Sequence, residues 1–204
     1  MPGKLPKRYD NTVFLNIPYD EAFRRLYLAY IVGLIHLGLN PCVTLHIPGG
    51  QRRLDKILDL IGNCRYSIHD LSRVQLDSKS PRTPRFNMPF ELGLAIGVQK
   101  LQRTPHEWFL FESKPYRVEK SLSDLSGTDP HIHQNSVEGV LRELGNAFVR
   151  RSANEAFSVP GMLKTYRSVS KQVEKIQQQT GAHSLFEART FGLLCTAARV
   201  ASHH

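Results

Sequence analysis

The stretch Thr12–Ile17, TVFLNI, is apolar, partly β-branched and cut off by Pro18, and it gives way at once to apolar residues at helical spacing. This switch from strand to helix periodicity recurs along the chain and constrains the fold more than any other feature. Asp20–Leu37 sets Phe23, Leu26, Tyr27, Tyr30, Ile31, Leu34 and Ile35 on a helix that stops at Gly38. Asn40–Ile47 reads as a second strand, turned by Pro48-Gly49-Gly50. A helix follows with Leu54, Ile57, Leu58 and Ile61 inward, Arg52, Arg53, Asp55, Lys56 and Asp59 toward solvent, and Gly62 or Asn63 at its end. Cys64–Ile68 is a third strand, ending at His69 and Asp70, and Glu107–Glu112, EWFLFE, is a fourth. Ser136–Arg150 is another helix, with Val137, Val140, Leu141, Leu144 and Phe148 inward.

Repeated strand–helix units predict an α/β domain: a parallel sheet with helices on both faces, joined by right-handed crossovers. Ligands of such sheets collect at the carboxyl ends of the strands. Here those ends are Asn16–Glu21, His46–Gly50, His69–Arg73 and Glu112–Lys114. Two polar stretches, Leu71–Arg85 and Ser113–Asn135, read as long irregular connections. After Pro160-Gly161 the pattern becomes a polar helix over Met162–Gln179 and a more apolar one over Ser184–Val200. The expected organisation is an α/β domain over 1–155 and a C-terminal helical extension over 156–204, covering an open sheet edge or forming a homo-oligomer contact.

One carboxylate stands out. In Pro84–Gly97, PRFNMPFELGLAIG, Asn87 is a good helix N-cap and Pro89 suits a first turn, while Leu92, Leu94, Ala95 and Ile96 continue a buried, central helix. Glu91 therefore lies near the start of an apolar helix, at the ligand-binding rim of the sheet. The loop before it carries Arg73, Arg82 and Arg85, side chains suited to an anionic substrate.

A net charge of +9 favours polyanions and phosphate-bearing metabolites as partners. The basic residues are scattered, with neither zinc-finger spacing nor an RNA-binding aromatic motif, so nucleic acid is not the expected partner. Three cysteines without a CxxC pair argue against a disulfide framework and for a reducing, cytoplasmic setting. No signal-type segment and no apolar run of about 18 residues occurs, so no membrane partner is expected. His131 and His133 share a strand face but lack a third ligand at recognisable spacing, so no metal is expected.

Three pieces together, VFLNIPYDEAF at Val13–Phe23, CRYSIHDLSRV at Cys64–Val74 and RFNMPFELGLAIG at Arg85–Gly97, resemble the TIR-like and nucleoside 2-deoxyribosyltransferase-like superfamily. The resemblance covers roughly the first 115 residues. It implies a flavodoxin-like sheet and a glutamate, here Glu91 of Glu91-Leu92-Gly93-Leu94-Ala95, that acts on an N-glycosidic bond. Asn16, Tyr19, Asp20, Asp70, Arg73, Arg85 and Asn87 become candidate substrate-binding residues. The loop before the helix reads Phe86-Asn87-Met88-Pro89 in place of the D-x-G-T-x-x-E form of the deoxyribosyltransferases, which favours the TIR-like NAD glycohydrolases. The implied activity is NAD-consuming N-glycosidase chemistry, with NAD as substrate and no cofactor, in a stress or anti-phage defence role. The alternatives are a deoxyribosyltransferase or nucleoside monophosphate glycosidase, and a non-catalytic nucleotide-sensing or oligomerising module.

Overall fold

The computed structural model describes residues 9–45, 52–74, 84–101, 105–149 and 158–202. Five parallel strands make one sheet: β1 (Thr12–Asn16), β2 (Asn40–Cys42), β3 (Tyr66–Asp70), β4 (Glu107–Glu112) and β5 (His131–Ile132), in the order β2-β1-β3-β4-β5. This is a flavodoxin-like arrangement with helices on both faces. Asn16 pairs with His69, and Asp70 with Phe111, so the carboxyl ends of the three central strands lie side by side. The described part of the second strand is shorter than expected, and His46–Gly50 and Arg82 lie outside the described residues. β5 falls within a stretch expected to be irregular. It forms because His131 and Ile132 complete the open edge of β4 at Phe111 and Glu112.

The helices are α1 (Arg24–His36), α2 (Arg53–Asn63), α3 (Asn87–Leu101), the short α4 (Arg117–Ser121), α5 (Val137–Ala147), α6 (Val159–Ser170), α7 (Val173–Thr180) and α8 (Ala188–Ser202). Strand residues alternate between the two faces. Val13, Leu15, Tyr66, Ile68 and Phe111 face α1 and α5, whereas Phe14 packs with Ile57, Ile61 and Ala95 of α2 and α3. Leu110 joins Leu92 of α3 and Val118 of α4 on that second side.

The central helix is α1, and α3 is not. Every residue from Leu26 to Ile35 is buried, because α1 lies between the sheet and a further layer formed by α6 and α8, with α5 alongside. A helix apolar on all sides is stable in water only when enclosed in this way. At Gly33 an added Cβ would lie 2.5 Å from Leu144 Cδ1, so the glycine lets α5 approach closely. In α3 only Glu91, Leu92 and Ala95 are buried, while Phe86, just before it, and Phe90 and Leu101 are exposed.

The C-terminal helices belong to the same core as the sheet. Met162, Val169, Leu194, Cys195 and Ala198 pack with the α1 residues, and the stretch expected as one polar helix is two, parted at Lys171–Gln172. Phe186, in the connection before α8, packs edge-on against Tyr27 and Tyr19 with ring centroids 5.1 and 6.1 Å apart. The extension thus covers α1 and reaches the carboxyl edge of β1. Among the described residues no helix is long and apolar enough to cross a membrane.

Candidate functional site

A cleft of about 180 Å3 opens at the carboxyl edge of β1, between the start of α3 and the start of α2. Its described lining comprises Leu15–Tyr19, Thr44, Arg53, Arg73, Arg85, Asn87, Met88 and Glu91. The segment leading out of β1 and the two helix starts meet here because consecutive parallel strands deliver their loops to one edge.

Glu91 is only 5% exposed. Phe86 C=O accepts the Phe90 N–H, so the helix has already begun at Asn87, one position earlier than an N-cap there would give, and Glu91 falls in the second turn. Asn87 lines the cleft. Burial raises the Glu91 carboxyl from its ordinary value of 4.5 to about 7, with Arg53 drawing it the other way. At neutral pH the group is therefore poised between its two protonation states.

Arg53 was expected to face solvent. It is exposed, and as the first residue of α2 it also lines the cleft, where its Nη2 donates to Thr44 Oγ1 at 3.4 Å. Its position was available from the rule that the first turn of the helix after a parallel strand faces the ligand edge. Tyr19 donates its hydroxyl to Leu15 C=O at 3.1 Å, and burial holds the phenol protonated, well above its ordinary range.

Asp20 has two tasks. Its Oδ1 accepts the Phe23 N–H at 3.1 Å, capping the turn before α1, and its Oδ2 faces Arg73 Nε at 3.3 Å and Arg85 Nη1 at 3.7 Å. It does not itself line the cleft. It anchors two guanidinium groups at the rim, both still more than a third exposed and able to meet an anion.

Asp70 was expected at the site and lies elsewhere. Asn16 and His69 are register partners with side chains toward α3, so the next residue of β3 points to the α1 face. There Asp70 Oδ2 accepts the Tyr30 hydroxyl at 2.7 Å and Oδ1 accepts the Ser72 N–H at 2.9 Å and the Ser72 hydroxyl. His133 Nε2 stands 3.2 Å from Oδ2; its Nδ1 accepts the Asn135 N–H, which puts the ring proton on the nitrogen facing Asp70. Asp70 and His133 are both fully buried, and this cluster is structural.

His69, set aside as a partner for Asp70 because adjacent strand residues point to opposite faces, sits beneath the cleft with its Nδ1 2.9 Å from Asn16 Nδ2. The cleft thus gathers Glu91, Asn16, Tyr19, Arg73, Arg85 and Asn87 from the expected set, adds Arg53 and Thr44, keeps Asp20 behind the rim and excludes Asp70. Among the described residues no group of three His, Cys, Asp or Glu side chains could hold a metal ion. Chemically, the arrangement offers one desolvated carboxyl group, cations at its rim and, among the described residues, no second acid lining the cleft. Compared with known protein families and with characterised proteins, the chain matches none.

Proposed function

We propose that the protein is a nucleotide N-glycosidase whose substrate is NAD, with Glu91 as the catalytic carboxylate. The observation that carries this reading is the burial of Glu91 in a cleft whose rim is cationic. Breaking the bond between ribose C1′ and the nicotinamide nitrogen builds positive charge on the sugar. A carboxylate beside it stabilises that charge or bonds to C1′, while the electron pair of the broken bond neutralises the pyridinium ring. Water then attacks C1′, releasing ADP-ribose and a proton and regenerating Glu91. The leaving group is already cationic, so no general acid is required and one carboxylate suffices. In this reading Arg73 and Arg85 take the diphosphate, and Asp20, 3.3 and 3.7 Å from them, restrains both.

This chemistry needs Glu91 ionised, and water exclusion then strengthens its interaction with the developing charge. The test is nicotinamide release from NAD by the intact protein and by Glu91→Gln. Release by the former and its loss in the latter support the proposal; NAD binding without release assigns the cleft to sensing instead.

A further inference from the structure

Beneath the cleft runs a buried line of side chains that the proposed chemistry does not use. Asn16 Nδ2 donates to Met88 C=O at 3.1 Å and also meets His69 Nδ1 at 2.9 Å. His69 Nε2 meets Ser67 Oγ at 2.9 Å, Ser67 Oγ meets His106 Nε2 at 3.0 Å, and His106 Nδ1 meets Cys64 C=O at 2.9 Å. Both ends of this line are backbone carbonyls, which only accept. The proton positions follow by elimination. His106 must carry its proton on Nδ1 and accept the Ser67 hydroxyl at Nε2. Ser67 must then accept from His69 Nε2, which leaves His69 Nδ1 to accept from Asn16.

Five bonds consume the five available protons: two from the Asn16 amide and one each from His69, Ser67 and His106. A protonated His69 would have no acceptor for its extra proton, and one on His106 would displace the Ser67 proton from its acceptor; burial lowers the pKa of both rings. The relay is neutral and runs in one direction. With both N–H groups of Asn16 committed to Met88 and His69, the polar atom it has left for the cleft it lines is Oδ1.

We propose that His69, Ser67 and His106 are positioning residues that lock Asn16 with its carbonyl oxygen toward the cleft, so that the site selects a sugar hydroxyl and favours ribosyl over deoxyribosyl ligands. This rests on the reading of the cleft as a ribosyl site. A fixed acceptor rewards a hydroxyl donor, repels phosphate oxygens and is left unpaired by a sugar lacking that hydroxyl. The relay therefore converts a hydrogen-bond direction set at Cys64 into a choice of substrate at Asn16.

The probes are nicotinamide mononucleotide and its 2′-deoxy and 3′-deoxy analogues, titrated by calorimetry into Glu91→Gln protein with His69 intact, with His69→Ala and with His69→Gln. With His69 intact, at least one deoxy analogue binds about tenfold or more weaker than the parent. His69→Ala reduces that ratio to within about twofold. His69→Gln, which can accept from Asn16 and donate to Ser67, restores it. Imidazole nitrogen shifts of the unmodified protein provide a reading independent of any variant's folding: His69 protonated on Nε2, His106 on Nδ1, neither charged at neutral pH. The opposite ring tautomers, or equal binding of all three ligands by a protein that cleaves NAD, overturn the positioning role alone. Hydroxyl discrimination in a protein that releases no nicotinamide overturns the glycosidase reading alone, and failure of all three ligands to bind overturns both.

Discussion

The two faces of the sheet each bury a carboxylate near the carboxyl edge, and they treat it in opposite ways. On the α1 face, Asp70 accepts from Tyr30 and Ser72, with His133 Nε2 3.2 Å away, beneath a closed layer of helices. On the α3 face, Glu91 is nearly as well hidden, yet it lines an open cleft and carries a pKa raised by that burial. A charge taken from water is tolerated when hydrogen bonds replace the lost solvation, and otherwise its neutral form gains. Asp70 therefore stabilises the fold, whereas the ionised form of Glu91 works against it. A destabilised, accessible acid is the kind of group that functional sites retain.

Exchanging each carboxylate for its amide breaks the comparison most sharply. Glu91→Gln lowers nicotinamide release by about a thousandfold, equivalent to about 4 kcal/mol, while circular dichroism reports an unchanged fold. Asp70→Asn does the reverse. Urea denaturation shows a loss of about 3 kcal/mol, because a buried acceptor oxygen is removed from donors that remain, and the folded fraction keeps its activity.

An effect of similar size follows from titration. Between 4.5 and about 7 the folded protein holds the Glu91 proton more tightly than the unfolded chain does. The resulting stability is fully present below pH 4.5 and is lost as pH rises through about 7, amounting to about 3 kcal/mol. In Glu91→Gln this component is absent, so the variant unfolds at higher urea concentration than the parent at pH 8. The smallest contrast is steric. Gly33→Ala places a Cβ against Leu144 and costs about 1–3 kcal/mol, whereas at Gly93 of α3 nothing lies within 4 Å and alanine adds about 0.5–1 kcal/mol of helix stability. Thermal denaturation of the two variants measures the difference in enclosure between the faces.

Much of this arrangement was legible in the chain. The first, third and fourth strands and the helices between them follow from alternating periodicity, and Glu91 followed from a helix start at the ligand edge. β5 was hidden because two residues in a polar stretch carry no periodicity; its pairing with β4 is supplied by the rest of the sheet. The ranking of α1 and α3 was reversed because both are apolar, and only tertiary packing decides which one acquires the extra layer. Asp70 was misplaced by one residue of strand parity, which the pairing of Asn16 with His69 settles. Arg53 could have been placed at the cleft from its position in the first turn of the helix after β2, whereas His69 reaches Asn16 beneath the cleft through cross-strand register, which a linear pattern does not display.

The central claim is that Glu91 works as an ionised group within the cleft. The pH dependence of kcat/KM for nicotinamide release from NAD tests it most directly. The account predicts a rate that climbs tenfold per pH unit in acid and levels off above about 7, where Glu91 gives up its proton. A flat profile, or one that falls through that region, would contradict it.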